Sequence, residues 1–297
     1  MAQGTQKRTP PLRRLHSRQR VVRMLIACAL ATAAILGTPA PRAAAFPIEG
    51  DEESPLLPSG DEPEDTLEVA TIGWSVEGRP IDVIRFGQGL IARLIIAGIH
   101  GGSEANTTAL AQELIDYLAL HPETMPPGIT LYVLPQLNPD GAARATGRDG
   151  RTNARGVDLN RNWPALWVPE WNRSGCWDLR PTTAGSGPAS EPETLSLIQF
   201  IAAAEVDALI SYHSAALGIF PGGQPAESRS IALAEALAAV SDYPYPPVDT
   251  GCIFTGQLID WAANNGIAAV DIELHNHRDT DFEINLAILR AFLGWEG

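Results

Sequence analysis

The sequence predicts an α/β fold, with helices on both faces of a largely parallel sheet. Two observations carry this reading. From about residue 68 onward, apolar runs of strand length alternate with helical patterns. One run, Leu94–His100, is apolar almost throughout, the pattern of a strand buried on both faces. A third observation gives the fold its interest. The polar residues that interrupt these runs fall at their ends, where α/β sheets hold ligands.

The first segments precede that fold. Residues 1–23 are basic, and an apolar run follows from Met24 to Gly37 (MLIACALATAAILG). At 14 residues it falls short of the roughly 20 that a spanning helix needs. Small residues (APRAAA) come before Phe46, so 1–45 reads as a signal peptide removed on export, with an uncleaved anchor as the alternative. Leu25-Ile26-Ala27-Cys28 matches a lipoprotein box by letter, but it opens the apolar run rather than following it. The implied location is secreted or extracytoplasmic, with no stable membrane insertion after signal removal. Residues 46–67 (FPIEGDEESPLLPSGDEPEDTL) read as an acidic Pro/Gly-rich linker, and 68–297 as the folded domain.

Within the domain, 81–87 and 94–100 read as strands, and 105–121 as an amphipathic helix with Leu110, Leu114, Tyr117 and Leu118 on one face. Residues 129–138 form a strand that runs into a turn at Asn138-Pro139-Asp140-Gly141. A helix follows at 192–205, with Pro in its first turn, then a strand at 206–214. Residues 232–240 and 258–266 are helical, 267–274 is the last apolar strand, and 282–295 is a closing helix.

Charge excludes one class of partner. The chain has 21 Lys+Arg against 35 Asp+Glu, a net −14. Eight cations and no acid lie in residues 1–45, which leaves 13 basic and 35 acidic residues beyond, or −22. Nucleic acid, which demands a basic footprint, is not the expected partner. With 45% hydrophobic residues the chain is not a disordered polyelectrolyte either. Once Cys28 leaves with the signal, Cys176 and Cys252 remain, and in an oxidising compartment they read as one disulfide; two separate buried thiols are the alternative.

Three run ends carry candidate chemistry. His100 is followed by Gly101-Gly102-Ser103-Glu104, His213 closes the strand at 206–214, and Glu273 closes the one at 267–274. A His and a Glu four apart can converge on one metal ion; the competing reading makes Glu104 a helix-terminus charge. Two His and one carboxylate form a common catalytic zinc set, and a further carboxylate beside it can serve as general base.

GVDLNRNW (156–163), NPDG (138–141), GPASEPET (187–194), and the His/Glu, SYH and IEL segments occur in the order found in M14, carboxypeptidase A-like zinc carboxypeptidases. SVEGRPI (75–81) and IDWAANNGI (259–267) also resemble that family, so the likeness spans roughly 70–290. The resemblance implies a three-layer α/β/α sandwich around a mixed, largely parallel sheet. It implies one Zn2+ held by His100, Glu104 and His213, and Glu273 as general base toward a zinc-activated water. Arg151 would polarise the scissile carbonyl. Asn160 and Arg161 would grip the substrate's terminal carboxylate, a task for which a guanidinium fork is suited. Ile259 aligns with the floor of the specificity pocket, which suggests an apolar C-terminal residue.

Two departures stand out. The usual ligand motif is His-x-x-Glu, whereas three residues separate His100 from Glu104. Cys252 aligns where the family has a mobile capping tyrosine, with Tyr243 and Tyr245 as nearby substitutes. A Cys176–Cys252 bridge would staple that loop. The remaining polar residues have plain structural readings: Glu191 and Glu193 cap and charge the helix starting near Pro192, His121 ends a helix, and His275 and His277 lie in a surface turn. Trp163, Trp167, Trp171 and Trp177 either line the cleft or pack their loop down. The leading expectation is an exported metallocarboxypeptidase acting on a peptide with a free carboxylate. A cell-wall peptidase cutting γ-D-glutamyl–diaminopimelate bonds of a muropeptide, and a non-catalytic peptide- or metal-binding module, are the competitors.

Overall fold

The computed structural model describes residues 68–144, 147–169 and 182–297. The segments read as signal and linker (1–67), Cys176, Trp171 and Trp177 lie outside the described residues.

The fold begins with a hairpin. β1 (Glu68–Trp74) pairs antiparallel with β2 (Pro80–Phe86). The chain then alternates: β3 (Ile91–Ile96), α1 (Ala105–Leu120), β4 (Ile129–Leu134), α2 (Pro139–Arg144), α3 (Pro192–Ala203) and β5 (Val206–Ser214). A short β6 (Ile219–Pro221), α4 (Ser228–Ala238), α5 (Leu258–Asn264), β7 (Ala268–Leu274) and α6 (Phe282–Leu293) complete it. The seven strands form one sheet in the order β1-β2-β4-β3-β5-β7-β6. The central run β4-β3-β5-β7 is parallel, and the outer pairings are antiparallel. The sheet is therefore mixed with a parallel centre, as expected.

Side-chain alternation along the strands builds two cores. On one face, Ile95, Val133, Ile210 and Ile272 pack with Leu114 and Leu118 of α1, Leu233 of α4 and Phe292 of α6. On the other, Leu94, Ile96, Leu209 and Ala269 pack with Leu197 and Ile201 of α3 and Leu258 of α5. Leu94, Ile95 and Ile96 are all fully buried, which explains the unbroken apolar run. Each such side chain contributes about 1.5–3 kcal/mol of burial. Trp163 belongs to the second core and stacks at 5.1 Å on Trp261, so it packs its loop down.

Three readings are corrected. β3 ends at Ile96, and His100 lies in the loop beyond it. Asn138-Pro139-Asp140-Gly141 does not stop at a turn but opens α2. Glu191 and Glu193 make no side-chain cap on α3. They are buried and accept hydrogen bonds from Asn153 Nδ2, at 2.7 Å to Glu191 Oε2 and 3.2 Å to Glu193 Oε2. Asn153 Oδ1 in turn accepts from the backbone of Arg155 and Val157. The two acids thus anchor the loop that carries Arg151, Asp158 and Arg161.

Candidate metal centre

The carboxyl ends of β3, β5 and β7 place the candidate residues together. His100 reaches the site on the loop after β3, which still follows β4: Ala97 N–H donates to Leu134 O and Asn138 N–H to Gly98 O. Glu104 stands at the N-terminus of α1. The spacer absorbs its extra residue through glycine. Gly102 has φ +72°, and a Cβ there would meet Gly147 O at 2.0 Å. A Cβ on Gly101 would meet Ala142 N at 2.5 Å. Only glycine allows this close approach.

Nδ1 of His100 lies 3.0 Å from Glu104 Oε1, and Nδ1 of His213 lies 3.2 Å from Glu104 Oε2. One ligand atom from each of His100, Glu104 and His213 falls within 4.8 Å of the others. All three residues are buried, and among the described residues no other group of His, Cys, Asp or Glu converges in this way. Two imidazole nitrogens and one carboxylate oxygen form a set that suits zinc.

Each imidazole is backed on its other nitrogen. His100 Nε2 lies 3.0 Å from Asp158 Oδ1. His213 Nε2 lies 3.1 Å from Ser211 Oγ, 3.3 Å from Asn160 Nδ2 and 3.6 Å from Asp271 Oδ1. Such partners fix ring orientation and ligand basicity in metal sites. Neither aspartate stood out in the sequence. Asp158 sits inside the GVDLNRNW string, but its partner is 58 residues away and only the fold joins them.

Arg151 donates from Nε to Asp158 Oδ2 and from Nη1 to Glu104 Oε1, both at 3.0 Å. Its cation thus lies against the cluster. Asn160 Oδ1 accepts the Leu258 N–H at 3.0 Å, which ties this loop to the start of α5. Arg161 is buried, with its guanidinium 5.0 Å over the Phe254 ring. Glu273, the register partner of His213 in the sheet, is half-buried, and its Oε2 is buried without a hydrogen bond.

The charges interlock. Burial works to raise the Glu104 carboxyl, but His100 and His213 hold it well below the carboxylate range. Burial likewise opposes ionisation of Asp158, and Arg151 and then His100 overcome it. Burial would lower His213, but Asp271 and Glu104 raise it well above the usual imidazole value. Glu273 moves the other way: burial, reinforced by Glu104 and Asp271, pushes it up to about 8.

Ile259 is buried and, with Phe220, Phe254 and Asp260, lines a cleft of about 390 Å³. Cys252, on the same cleft, is disulfide-bonded; its expected partner, Cys176, lies outside the described residues. Tyr243 does not serve as a capping residue. It is buried, donates to Asp281 Oδ2 at 3.0 Å and accepts from Asn285 Nδ2 at 2.9 Å. His277, read as surface turn, is exposed, but its Nδ1 lies 3.0 Å from Ser214 Oγ beside the cluster.

Known proteins place the chain. Residues 60–285 match the model of the zinc carboxypeptidase family, peptidase M14. Mouse carboxypeptidase A6 is 28% identical over 236 residues, covering 68% of this chain and 53% of that protein. Murein peptide amidase A of Escherichia coli K12 is 29% identical over 187 residues, covering 61% of this chain and 69% of that protein. The chain thus spans about half the length of the carboxypeptidase A6 relative. Among solved structures, murein-tripeptide amidase of Escherichia coli O157 matches at TM-score 0.55 and 24% identity, over 77% of this chain and 92% of that one. Bovine thrombin-activatable fibrinolysis inhibitor, in complex with tick carboxypeptidase inhibitor, matches at TM-score 0.61 and 21% identity, over 77% and 88%. With more than half of its length matched by the family model, the chain belongs to the zinc carboxypeptidase family of M14 peptidases.

Proposed function

We propose that this chain is an exported zinc-dependent metallocarboxypeptidase, which hydrolyses the C-terminal peptide bond of a substrate with a free carboxylate. The observation that carries the reading is the convergence of His100, Glu104 and His213, with Arg151 on one side and Glu273 paired to His213 across the sheet. His100 and His213 through Nδ1, and Glu104 through a carboxylate oxygen, would hold the ion. Bound zinc would supply Lewis acidity, lowering the pKa of a water nucleophile toward about 7 and polarising the carbonyl.

The protein's own groups do the rest. Glu273, beside His213 in the sheet, would take the proton of the attacking water and deliver it to the leaving amine. Its buried Oε2, without a hydrogen bond, is placed to exchange a proton. Arg151, anchored by Asp158 and Glu104, presents a fixed cation to the developing oxyanion. Arg161, with Asn160 shaping the loop, receives the substrate carboxylate. Ile259 lines the pocket for the residue released. The basic, apolar and small-residue order of residues 1–45 supports export, with 46–67 as linker and 68–297 as catalytic domain. Among the described residues no helix is long and apolar enough to cross a membrane.

A second reading, cleavage of γ-D-glutamyl–diaminopimelate bonds, is favoured by the likeness to murein peptide amidase A of Escherichia coli. The deciding experiment measures zinc content and turnover of the purified protein on C-terminal dipeptides and on muropeptides. Glu273→Gln is the control. Stoichiometric zinc, with turnover lost in Glu273→Gln, is expected. Full activity in that variant would overturn the assignment of the base. Zinc binding without turnover on either substrate class would favour the non-catalytic module.

A further inference from the structure

Building on the peptidase reading, we propose that His277 is a substrate-binding residue. Its Nε2 accepts a backbone N–H from the part of the peptide that precedes the scissile bond.

The hydrogen bonds around Ser214 fix the state of the ring. Asn106, buried in the first turn of α1, donates from Nδ2 to Asn276 O at 2.8 Å and to Asp279 O at 2.9 Å. Carbonyls only accept, so the Asn106 amide has one possible orientation and its Oδ1 is an acceptor. Ser214 Oγ lies 3.0 Å from that Oδ1 and spends its single proton there. The same Oγ lies 3.0 Å from His277 Nδ1, and therefore accepts the Nδ1–H. A neutral imidazole carries one N–H, so Nε2 is left with a bare lone pair. His277 is exposed, and among the described residues its Nε2 has no hydrogen-bond partner. One edge of the ring is locked by the protein, and the other is a preset acceptor open to solvent.

The position of the ring assigns its partner. Ser214 directly follows the ligand candidate His213, and its N–H lies 3.4 Å from Glu104 Oε2. The path from that oxygen through Ser214 to the far edge of the ring is at most about 12 Å, the span of three to four extended residues. The ring and Ile259 flank the cluster from opposite sides of the sheet. Ile259 belongs to the face covered by α3 and α5, whereas Asn106 lies on α1 and the 275–281 loop leads into α6, both on the other face. With the released residue in the cleft beside Ile259, the chain before the scissile bond leaves across Ser214 and His277. Every residue there except proline offers an N–H, and a bare lone pair is what that donor needs. Such a contact reads the main chain, so it holds the substrate whatever its upstream side chains.

The test uses zinc-loaded enzyme and N-blocked tetrapeptides ending in the residue that the wild type releases fastest. Each carries one N-methyl group on one of the three amides before the scissile bond. The diagnostic variant is His277→Asn, because the Asn amide can still donate to Ser214 Oγ while the Nε2 lone pair is gone. On the unmethylated peptide, His277→Asn should lose about three- to tenfold in kcat/KM, the worth of one neutral hydrogen bond. At one of the three positions N-methylation should cost the wild type that same factor and cost His277→Asn nothing more. Zinc affinity of the variant should be unchanged. N-methylation penalties that are equal in wild type and His277→Asn at all three amides would overturn the proposal. So would a variant whose zinc affinity falls in step with its activity, since the ring would then only prop the metal site. A wild type that cleaves none of the unmethylated peptides would instead overturn the peptidase reading beneath it.

Discussion

His100 Nε2 stands 3.0 Å from Asp158 Oδ1, and Arg151 Nε donates to the other oxygen of the same carboxylate. Asp158 is fully buried, so one side chain orients a metal-site histidine and anchors the cation beside it. Asp158→Asn preserves shape but removes the charge. Zinc affinity should fall about 10–100-fold, the usual cost of losing such a partner. Competition with a chelator reads this directly. Affinity within twofold of wild type would show that the contact orients nothing.

Glu273 and His213 set the pH response of the metal-free protein. Glu273 is raised to about 8, so the folded state holds its proton across a range where the unfolded chain has lost it. Its contribution is fully present below about pH 4.5 and is lost as pH rises toward 8. His213 is also raised, so its contribution is present below about 6.5 and is lost as pH climbs further. Both signs agree. Tm in chelator should fall between pH 6 and 9, and Glu273→Gln should flatten the slope. Zinc should reverse the trend, because ligands must shed protons to bind. A chelated protein whose Tm rises across that range would refute the account.

Much of the fold was readable because burial leaves a trace in composition. β5 was read to the residue, since Val206–Ser214 is apolar on both faces up to its polar end. β1 was missed. It is an edge strand, exposed for most of its length, and carries no buried stripe to detect. β6 is three residues long, too short for a period. The site divides in the same way. His100, Glu104 and His213 were visible because polar residues interrupt apolar runs. Asp158, Asp271 and Asn153 act through partners that the fold alone brings near, and Glu191 and Glu193 occupy positions where helix starts ordinarily place acids.

Asn153 shows what that hidden network contributes. It is fully buried, donates to two buried carboxylates and accepts from two backbone N–H groups. Asn153→Ala strands both N–H groups and Glu193 Oε2, and leaves Glu191 Oε2 with only the 3.4 Å contact from Arg155. A loss of about 2–4 kcal/mol is expected from urea denaturation, because unsatisfied buried groups cost more than the hydrogen bonds they made. Arg151 and Arg161 ride on the same loop, so activity at permissive temperature should fall as well. A loss under about 0.5 kcal/mol, the range of ordinary surface changes, would show that the loop is held by other contacts.

Two glycines with nearly the same backbone separate conformational strain from steric fit. Gly78 has φ +75° and Gly102 has φ +72°, both in the left-handed region. A Cβ at Gly78, in the β1–β2 turn, would meet nothing within 4 Å, whereas at Gly102 it would meet Gly147 O at 2.0 Å. Gly78→Ala should therefore cost only the backbone term, about 1–2 kcal/mol, and leave zinc affinity unchanged. Gly102→Ala carries the same term and must also push apart the loop at 147–150 or the turn that presents Glu104. Because Glu104 bridges both histidines, zinc affinity should drop by tenfold or more, in excess of any change in Tm. Equal effects of the two substitutions on zinc binding would mean that the turn tolerates displacement, and that the His100–Glu104 spacing is not what sets the ligand geometry.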